Sequence, residues 1–82
     1  MLDHFSKLKW ACRRGMLELD VLLGNFLNEA YLQLNLTGKQ QFIELLTFSD
    51  PELYAWLIGR ETPPLEFAMI IEDIRTHARS RI

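Results

Sequence analysis

The sequence predicts an all-α fold: a single compact bundle of about five short helices that occupies residues 1–82. Apolar residues recur at spacings of three and four, and no stretch alternates apolar and polar residues over the length of a strand. Hydrophobic residues make up 49% of the chain and charged residues 24%, which is the composition of a globular protein. A chain of 82 residues has room for one domain.

The first helix is predicted to begin after an N-cap at Ser6 and to end at Arg14. Arg13 and Arg14 place positive charge at the C-terminal end of the helix dipole, where cations are favourable. Gly15 follows directly, and glycine suits the left-handed position that commonly ends a helix.

The second helix is predicted to begin at Met16 or Leu17 and to be apolar around most of its circumference. One stripe at helical spacing is expected to be buried: Leu19, Leu22, Leu23, Phe26 and Ala30. Further apolar residues widen this surface: Met16, Leu17, Val21, Leu27 and Tyr31. Such a helix is either central to the bundle or partly reserved for a partner, and the sequence leaves both interpretations open.

The third and fourth helices are predicted from their starting signals. Thr37 with Gln40 three residues later is typical of a capping box that opens the third helix. Asp50 as N-cap and Pro51 at the first helical position open the fourth helix, which Gly59 ends. The expected inward faces of these two helices are Phe42, Leu45 and Leu46, and Leu53, Trp56 and Leu57.

The last helix is predicted to start at the Thr-Pro-Pro turn of residues 62–64. Its expected core face repeats at i, i+3, i+4 and i+7 and consists of Phe67, Ile70, Ile71 and Ile74. Residues 79–82 are expected to form a frayed tail.

Charge and hydropathy exclude several classes of protein. The net charge is -2, so a generally basic nucleic-acid binder is not expected. The charge is unevenly placed, with +3 over residues 1–17 and -8 over residues 18–73. The basic segment could steer an acidic partner, or these charges are simply solvated faces. No segment has the apolar length of a membrane span, so we expect no membrane insertion and a cytoplasmic protein.

The sequence offers little catalytic or metal-binding chemistry. The single cysteine, Cys12, excludes an internal disulfide and is expected to be a core residue. Glu18 and Asp20 diverge by roughly 200° on a helix, so they do not form an acid–base pair. His77 is interpreted as a surface residue near the C-terminal end of the last helix. We therefore expect neither an enzyme nor a metal site.

The segment from residue 10 to residue 20 is unusual because guanidinium groups precede a single glycine and carboxylates follow it. One interpretation is a well-capped corner between two helices, in which Arg14 and Glu18 pair locally. The other is a recognition corner, in which Arg14 and Glu18 bind a partner while Gly15 lets a foreign backbone approach. The residues alone favour neither interpretation.

Arg14-Gly15-x-x-Glu18, preceded by Trp10 and followed by Leu19-Asp20, resembles the RGxxE signature of the SdhE family. These proteins are the FAD assembly factors, or flavinators, of succinate dehydrogenase, and succinate dehydrogenase assembly factor 2 is the mitochondrial counterpart. The segments 42–46 and 50–57 also resemble this family's F-x-x-L-L and D-x-x-L…W-L blocks. The resemblance covers the chain from about residue 8 to residue 74.

The resemblance implies a chaperone that binds the flavoprotein subunit of succinate dehydrogenase or fumarate reductase and promotes covalent attachment of FAD to it. It implies that Arg14, Gly15 and Glu18 contact the flavoprotein and that Trp10 supports this surface. We expect no stably bound FAD in the chain itself, and we expect a monomer. The alternative is a generic regulatory interaction module such as an antitoxin; DNA binding through Arg13 and Arg14 is not expected.

Overall fold

Five α-helices and two 3₁₀ turns make up the computed structural model, which describes residues 4–80. The helices are α1 (His4–Ala11), α2 (Leu17–Glu29), α3 (Leu36–Leu45), α4 (Asp50–Leu57) and α5 (Ala68–Ser80), and the 3₁₀ turns are Tyr31–Gln33 and Leu65–Phe67. Residues 4–80 contain no strand, which confirms the all-α fold class. None of the helices in this range has the length and apolarity to cross a membrane.

The core lies between α2 and α5, which pack against each other along their lengths. Helices α1 and α4 also pack on α2, while α3 and α4 pack on α5. The predicted inward faces of the last three helices are all buried: Phe42, Leu45, Leu46, Leu53, Trp56, Leu57, Phe67, Ile70, Ile71 and Ile74. Their periodicity in the sequence therefore identified the buried face of each of these helices.

Helix α2 is central to the bundle and also partly exposed, so the structure supports the first interpretation of its sequence, while the reservation of its outer side for a partner stays a prediction. Four of its residues are buried, namely Leu19, Leu23, Phe26 and Leu27. The predicted stripe members Leu22 and Ala30 are only partly buried. On the outer side, Leu17 is 78% exposed and Val21 is 49% exposed. This exposed apolar side adjoins the end of α1.

Helix α1 lies three residues nearer the N-terminus than predicted, over His4–Ala11 instead of residues 7–14. Ser6 lies inside the helix, so it is not the N-cap. The helix ends at Ala11 rather than at Arg14, because the chain tightens there through a bond from the Arg13 N–H to the Trp10 carbonyl of 3.1 Å. Gly15 has a φ of +86°, which is the predicted left-handed conformation, but it lies four residues beyond Ala11 and so does not end the helix as predicted.

The caps of α3 and α4 each lie upstream of the predicted residue. The Asn35 side chain caps α3 by accepting from the Gly38 N–H at 2.8 Å, so the box predicted at Thr37 and Gln40 is wrong. Ser49 caps α4 in a capping box with Glu52, so Asp50 is not the N-cap. Since the serine fills that role, the carboxylate of Asp50 is free to bind elsewhere.

Helix α5 begins later and ends later than predicted. A 3₁₀ turn, Leu65–Phe67, separates the prolines of residues 62–64 from the α-helix. Arg79 and Ser80 belong to the helix, and the remainder of the predicted frayed tail lies outside the described residues.

His77 is not the surface residue that the sequence predicted. Its side chain is only 18% exposed, and its Nε2 lies 2.9 Å from Glu29 Oε1 at the end of α2. Its ring packs edge-on against Phe26 with a centroid separation of 5.6 Å. His77 therefore joins α5 to α2 within the bundle.

Candidate functional site

The guanidinium of Arg14 points into the molecule and binds the turn between α3 and α4. Its Nε donates to Asp50 Oδ1 at 2.7 Å. Nη1 and Nη2 donate to the carbonyl oxygens of Leu46 and Phe48, each at 2.7 Å. These carbonyls follow the last turn of α3, where helical backbone oxygens lack partners. The planar guanidinium carries its donors on three separate nitrogens and so reaches three spaced acceptors at once, whereas lysine carries all its donors on one nitrogen.

This geometry corrects the predicted role of Arg14. The sequence suggested an outward guanidinium that either pairs with Glu18 or contacts a partner. The side chain is 17% exposed and pairs with Asp50 instead. Arg14 is therefore a positioning residue, which fixes the connection between α1 and α2 on the connection between α3 and α4.

Asp20 also fixes the connection between α1 and α2, through bonds to the backbone. Its Oδ1 accepts from the Arg14 N–H at 2.6 Å, and its Oδ2 accepts from the Gly15 N–H at 3.3 Å. A carboxylate in the first turns of α2 is also favoured by the helix dipole. The backbone that leads into α2 is thus fixed by Asp20 while the side chain of Arg14 anchors it to the bundle.

Gly15 and Glu18 face solvent on this fixed connection. A Cβ added to Gly15 would meet nothing within 4 Å, so the chain itself leaves the space beside this residue open. Glu18 is exposed and points away from Asp20, as the helical spacing predicted. Both residues are therefore exposed, and the contact with the flavoprotein that the family resemblance implied stays a prediction.

Tyr54 of α4 is a member of this site that sequence reasoning missed. Its hydroxyl donates to Glu18 Oε2 at 3.0 Å. The bond to the carboxylate, and then the carboxylate's negative charge, raise the pKa of the Tyr54 hydroxyl. This hydrogen bond joins residues that are 36 positions apart in the sequence. The one signal for Tyr54 in the sequence was its place within the second block that resembles the family.

Trp10 is exposed at the end of α1, with 73% of its surface accessible. The guanidinium carbon of Arg13 lies 5.7 Å from the centre of the indole ring, which is cation–π distance. Tryptophan is one of the residues that are enriched in protein–protein interfaces. We call the outward residues of this region the corner surface: Trp10, Arg13, Gly15, Leu17 and Glu18.

Cys12 lies beneath the corner surface, and its buried thiol is unreactive. It is 2% exposed, which confirms the prediction that it is a core residue. Burial raises the pKa of its thiol to about 11, although the charge of Arg14 opposes this shift. Among residues 4–80 there is no cluster of three or more His, Cys, Asp or Glu side chains that could hold a metal ion. The corner therefore offers binding contacts rather than a nucleophile.

Comparison with known proteins finds a family and close relatives. Residues 6–78 match the family model described as flavinator of succinate dehydrogenase. A protein of Shewanella oneidensis named FAD assembly factor SdhE is 45% identical over 78 residues, which cover 94% of this chain and 95% of the relative. Proteins of the same name from Photobacterium profundum and Legionella pneumophila (strain Paris) are 42% identical over 82 residues and 49% identical over 70 residues. The former match covers 98% of this chain and 92% of the relative, and the latter 85% and 89%.

Proposed function

The chain belongs to the family of succinate dehydrogenase flavinators, and on that premise we propose that it is an assembly factor for the flavoprotein subunit of this enzyme. It binds that subunit and promotes the covalent attachment of FAD to it. The family match favours this function over the antitoxin alternative. The protein acts as a chaperone and supplies no catalytic side chain of its own.

One structural observation supports this function most directly: Gly15, Leu17 and Glu18 are exposed, and the connection that leads into them is firmly held. The residue before this segment, Arg14, makes three hydrogen bonds through its guanidinium and one through its N–H to Asp20, and the Gly15 N–H donates a fifth bond to Asp20. A preorganised surface loses little conformational entropy when a partner binds, which favours affinity. We propose that Gly15, Glu18 and Trp10 contact the flavoprotein and that Arg14 acts through the shape of the corner.

The proposed mechanism is catalysis by orientation. Binding energy from the corner surface stabilises the arrangement of the flavoprotein in which the flavin and the residue that accepts it are correctly placed. The attachment reaction then proceeds within the flavoprotein itself. Arg14, whose fork would otherwise suit the pyrophosphate of FAD, is already bound to Asp50 and two carbonyls, which supports a mechanism in which the chain does not hold FAD.

The experiment that tests this function measures covalent flavin on the flavoprotein. The purified apo-flavoprotein is incubated with FAD, with and without the chain, and the fluorescence of its band is read in a denaturing gel. We expect covalent flavin to accumulate at least about tenfold faster with the chain, a difference equivalent to about 1.4 kcal/mol of barrier.

The matched control is the chain carrying Glu66→Ala, because Glu66 is exposed, lies in the 3₁₀ turn that precedes α5 and is not part of the corner surface. This variant should stimulate attachment as the unmodified chain does. Equal rates with and without the unmodified chain would contradict the proposed function. Service to fumarate reductase, the monomeric state and the cytoplasmic location stay predictions from the sequence.

A further inference from the structure

A groove of about 430 Å³ runs between the end of α1 and the outer side of α2. Lys9 and Arg13 form its α1 side, while Val21, Gly24 and Asn28 lie along α2. On α2 the spacing of four and three residues places Val21, Gly24 and Asn28 on one face of the helix, in line with Leu17. The groove therefore follows an exposed face of α2 that starts at the corner surface.

Gly24 is the feature of this groove that the isolated chain does not explain. It lies in the middle of α2, where glycine makes a helix less stable than alanine does. Its φ is not positive, because among residues 4–80 only Gly15 and Gly59 have positive values. A Cβ added to Gly24 would meet nothing within 4 Å. Neither backbone geometry nor packing within the described residues calls for a glycine here.

The charges around the groove are complementary to an acidic occupant. Lys9 and Arg13 are exposed, and neither pairs with a carboxylate among the residues that the structure describes. Asp20 also borders the groove, but its oxygens accept the backbone N–H groups of Arg14 and Gly15. The unpaired charge that faces an occupant is therefore positive.

The groove is continuous with the corner surface. Val21 borders both the groove and the hollow that contains Leu17 and Glu18. Arg13 and Lys9 likewise border both the groove and the hollow beside Trp10. From Leu17 to Gly24 the helix rises by about 10 Å, which is two turns. A partner that binds the corner can therefore extend along α2 without a break in contact.

We propose that the groove receives an amphipathic helix of the flavoprotein subunit, whose backbone crosses α2 at Gly24. Its apolar side chains cover Leu17 and Val21, and its carboxylates reach Lys9 and Arg13. The absence of a side chain at Gly24 lets the two helix axes approach closely, since interaxial distance is set by the side chains at the crossing. This inference rests on the proposed function and extends its contact surface beyond the Gly15–Glu18 segment.

Substitution of Gly24 tests the proposal because it changes stability and binding in opposite directions. Gly24→Ala should raise the thermal unfolding midpoint of the chain by a few degrees while weakening its binding to the purified flavoprotein by about threefold. Gly24→Gln, with a longer side chain, should weaken binding by at least about tenfold without loss of helical circular dichroism. A residue with a purely structural role would change both quantities in the same direction.

Charge reversal at the basic edge, which the groove shares with the corner surface, gives a second measurement. The double variant Lys9→Glu/Arg13→Glu should weaken binding by about tenfold or more, and the loss should shrink as salt is raised. The matched control is Lys39→Glu on α3, outside the groove, which should bind as the unmodified chain does. Equal binding by the double variant and the control would overturn the proposed acidic occupant.

The outcomes separate this proposal from the proposed function. If the unmodified chain does not bind the flavoprotein, both fail. If Gly15→Arg abolishes binding but Gly24→Gln binds normally, only the groove proposal fails. If Gly24→Gln converts a dimeric chain to a monomer and leaves flavoprotein binding unchanged, the groove belongs to a second copy and the proposal is overturned.

Discussion

Two glycine turns in this molecule have the same backbone conformation and different surroundings. Gly15 precedes α2 with a φ of +86°, and Gly59 follows α4 with a φ of +82°. A Cβ at Gly59 would lie 3.1 Å from the Arg75 guanidinium, whereas a Cβ at Gly15 would meet nothing. The backbone therefore requires glycine at both turns, but only the turn at Gly15 opens onto unoccupied space beside exposed Leu17 and Glu18. The space beside the first turn is open, and the space beside the second turn is occupied by the Arg75 side chain.

The largest expected effect comes from removing the support beneath the open turn. Arg14→Ala deletes the ion pair to Asp50 and leaves the Leu46 and Phe48 carbonyls without their donors. We expect a loss of about 2–3 kcal/mol in the free energy of unfolding, measured by urea denaturation. Arg14→Lys keeps a positive charge near Asp50 but lacks the planar guanidinium. Its free energy of unfolding should lie between those of the unmodified chain and Arg14→Ala. Unfolding of Arg14→Ala at the wild-type urea concentration would show that the open turn needs no internal support.

The second effect compares the two glycines directly. Gly15→Arg and Gly59→Arg each place a non-glycine residue at positive φ, which costs about 1–2 kcal/mol of stability. We expect both variants to fold at 20 °C, with Gly59→Arg the less stable because Arg75 must also move. Only Gly15→Arg should lose the stimulation of covalent flavin attachment. Equal loss of stimulation in both variants would mean that stability, and not contact at the corner, limits function.

A smaller effect distinguishes the two partners of the exposed hydrogen bond at the corner. Tyr54→Phe removes the donor to Glu18 and leaves the carboxylate in place, whereas Glu18→Gln removes its charge. We expect both variants to keep wild-type stability, because the bond is exposed to solvent. Glu18→Gln should weaken flavoprotein binding more than Tyr54→Phe does, as measured by calorimetric titration. Equal weakening would mean that Glu18 acts by holding Tyr54.

The last effect concerns the buried side of the corner and is confined to alkaline pH. The folded thiol of Cys12 has a pKa of about 11 against 9.0 for an ordinary thiol, so the folded state holds this proton more tightly. Its contribution to stability is present below pH 9.0 and is lost as the pH rises toward 11. As the pH rises from 9.0 to about 11, Cys12→Ala should therefore lose less stability than the unmodified chain, as measured by thermal unfolding. Parallel pH profiles for the two proteins would contradict the assigned burial effect.

The sequence predicted the parts of the fold that depend on local periodicity. The buried faces of α3, α4 and α5 follow from apolar spacing alone, because a helix buries residues at intervals of three and four. The N-caps were misplaced because two short polar residues stand close together at each start, Asn35 with Thr37 and Ser49 with Asp50. Either member of each pair is a good cap by residue type, and only tertiary structure selects between them.

The candidate site was predictable in its location but not in its internal roles. The family signature identified Gly15 and Glu18, which the structure leaves exposed. It gave no sign that Arg14 turns inward, since its acceptors lie 32 to 36 residues further along the chain. Tyr54 was missed for the same reason. Contacts at such separation depend on how the helices pack, which local pattern does not encode.

The long reach of Arg14 has a consequence for when the protein becomes competent. The three acceptors of Arg14 are in place only once α3 and α4 have docked. A nascent or partly denatured chain that has formed only its first two helices therefore lacks the hydrogen bonds that fix the connection between α1 and α2. On the proposed function, binding of the flavoprotein would therefore require the complete tertiary structure. A partly folded chain would therefore bind the flavoprotein weakly, and only the fully folded chain would bind it well.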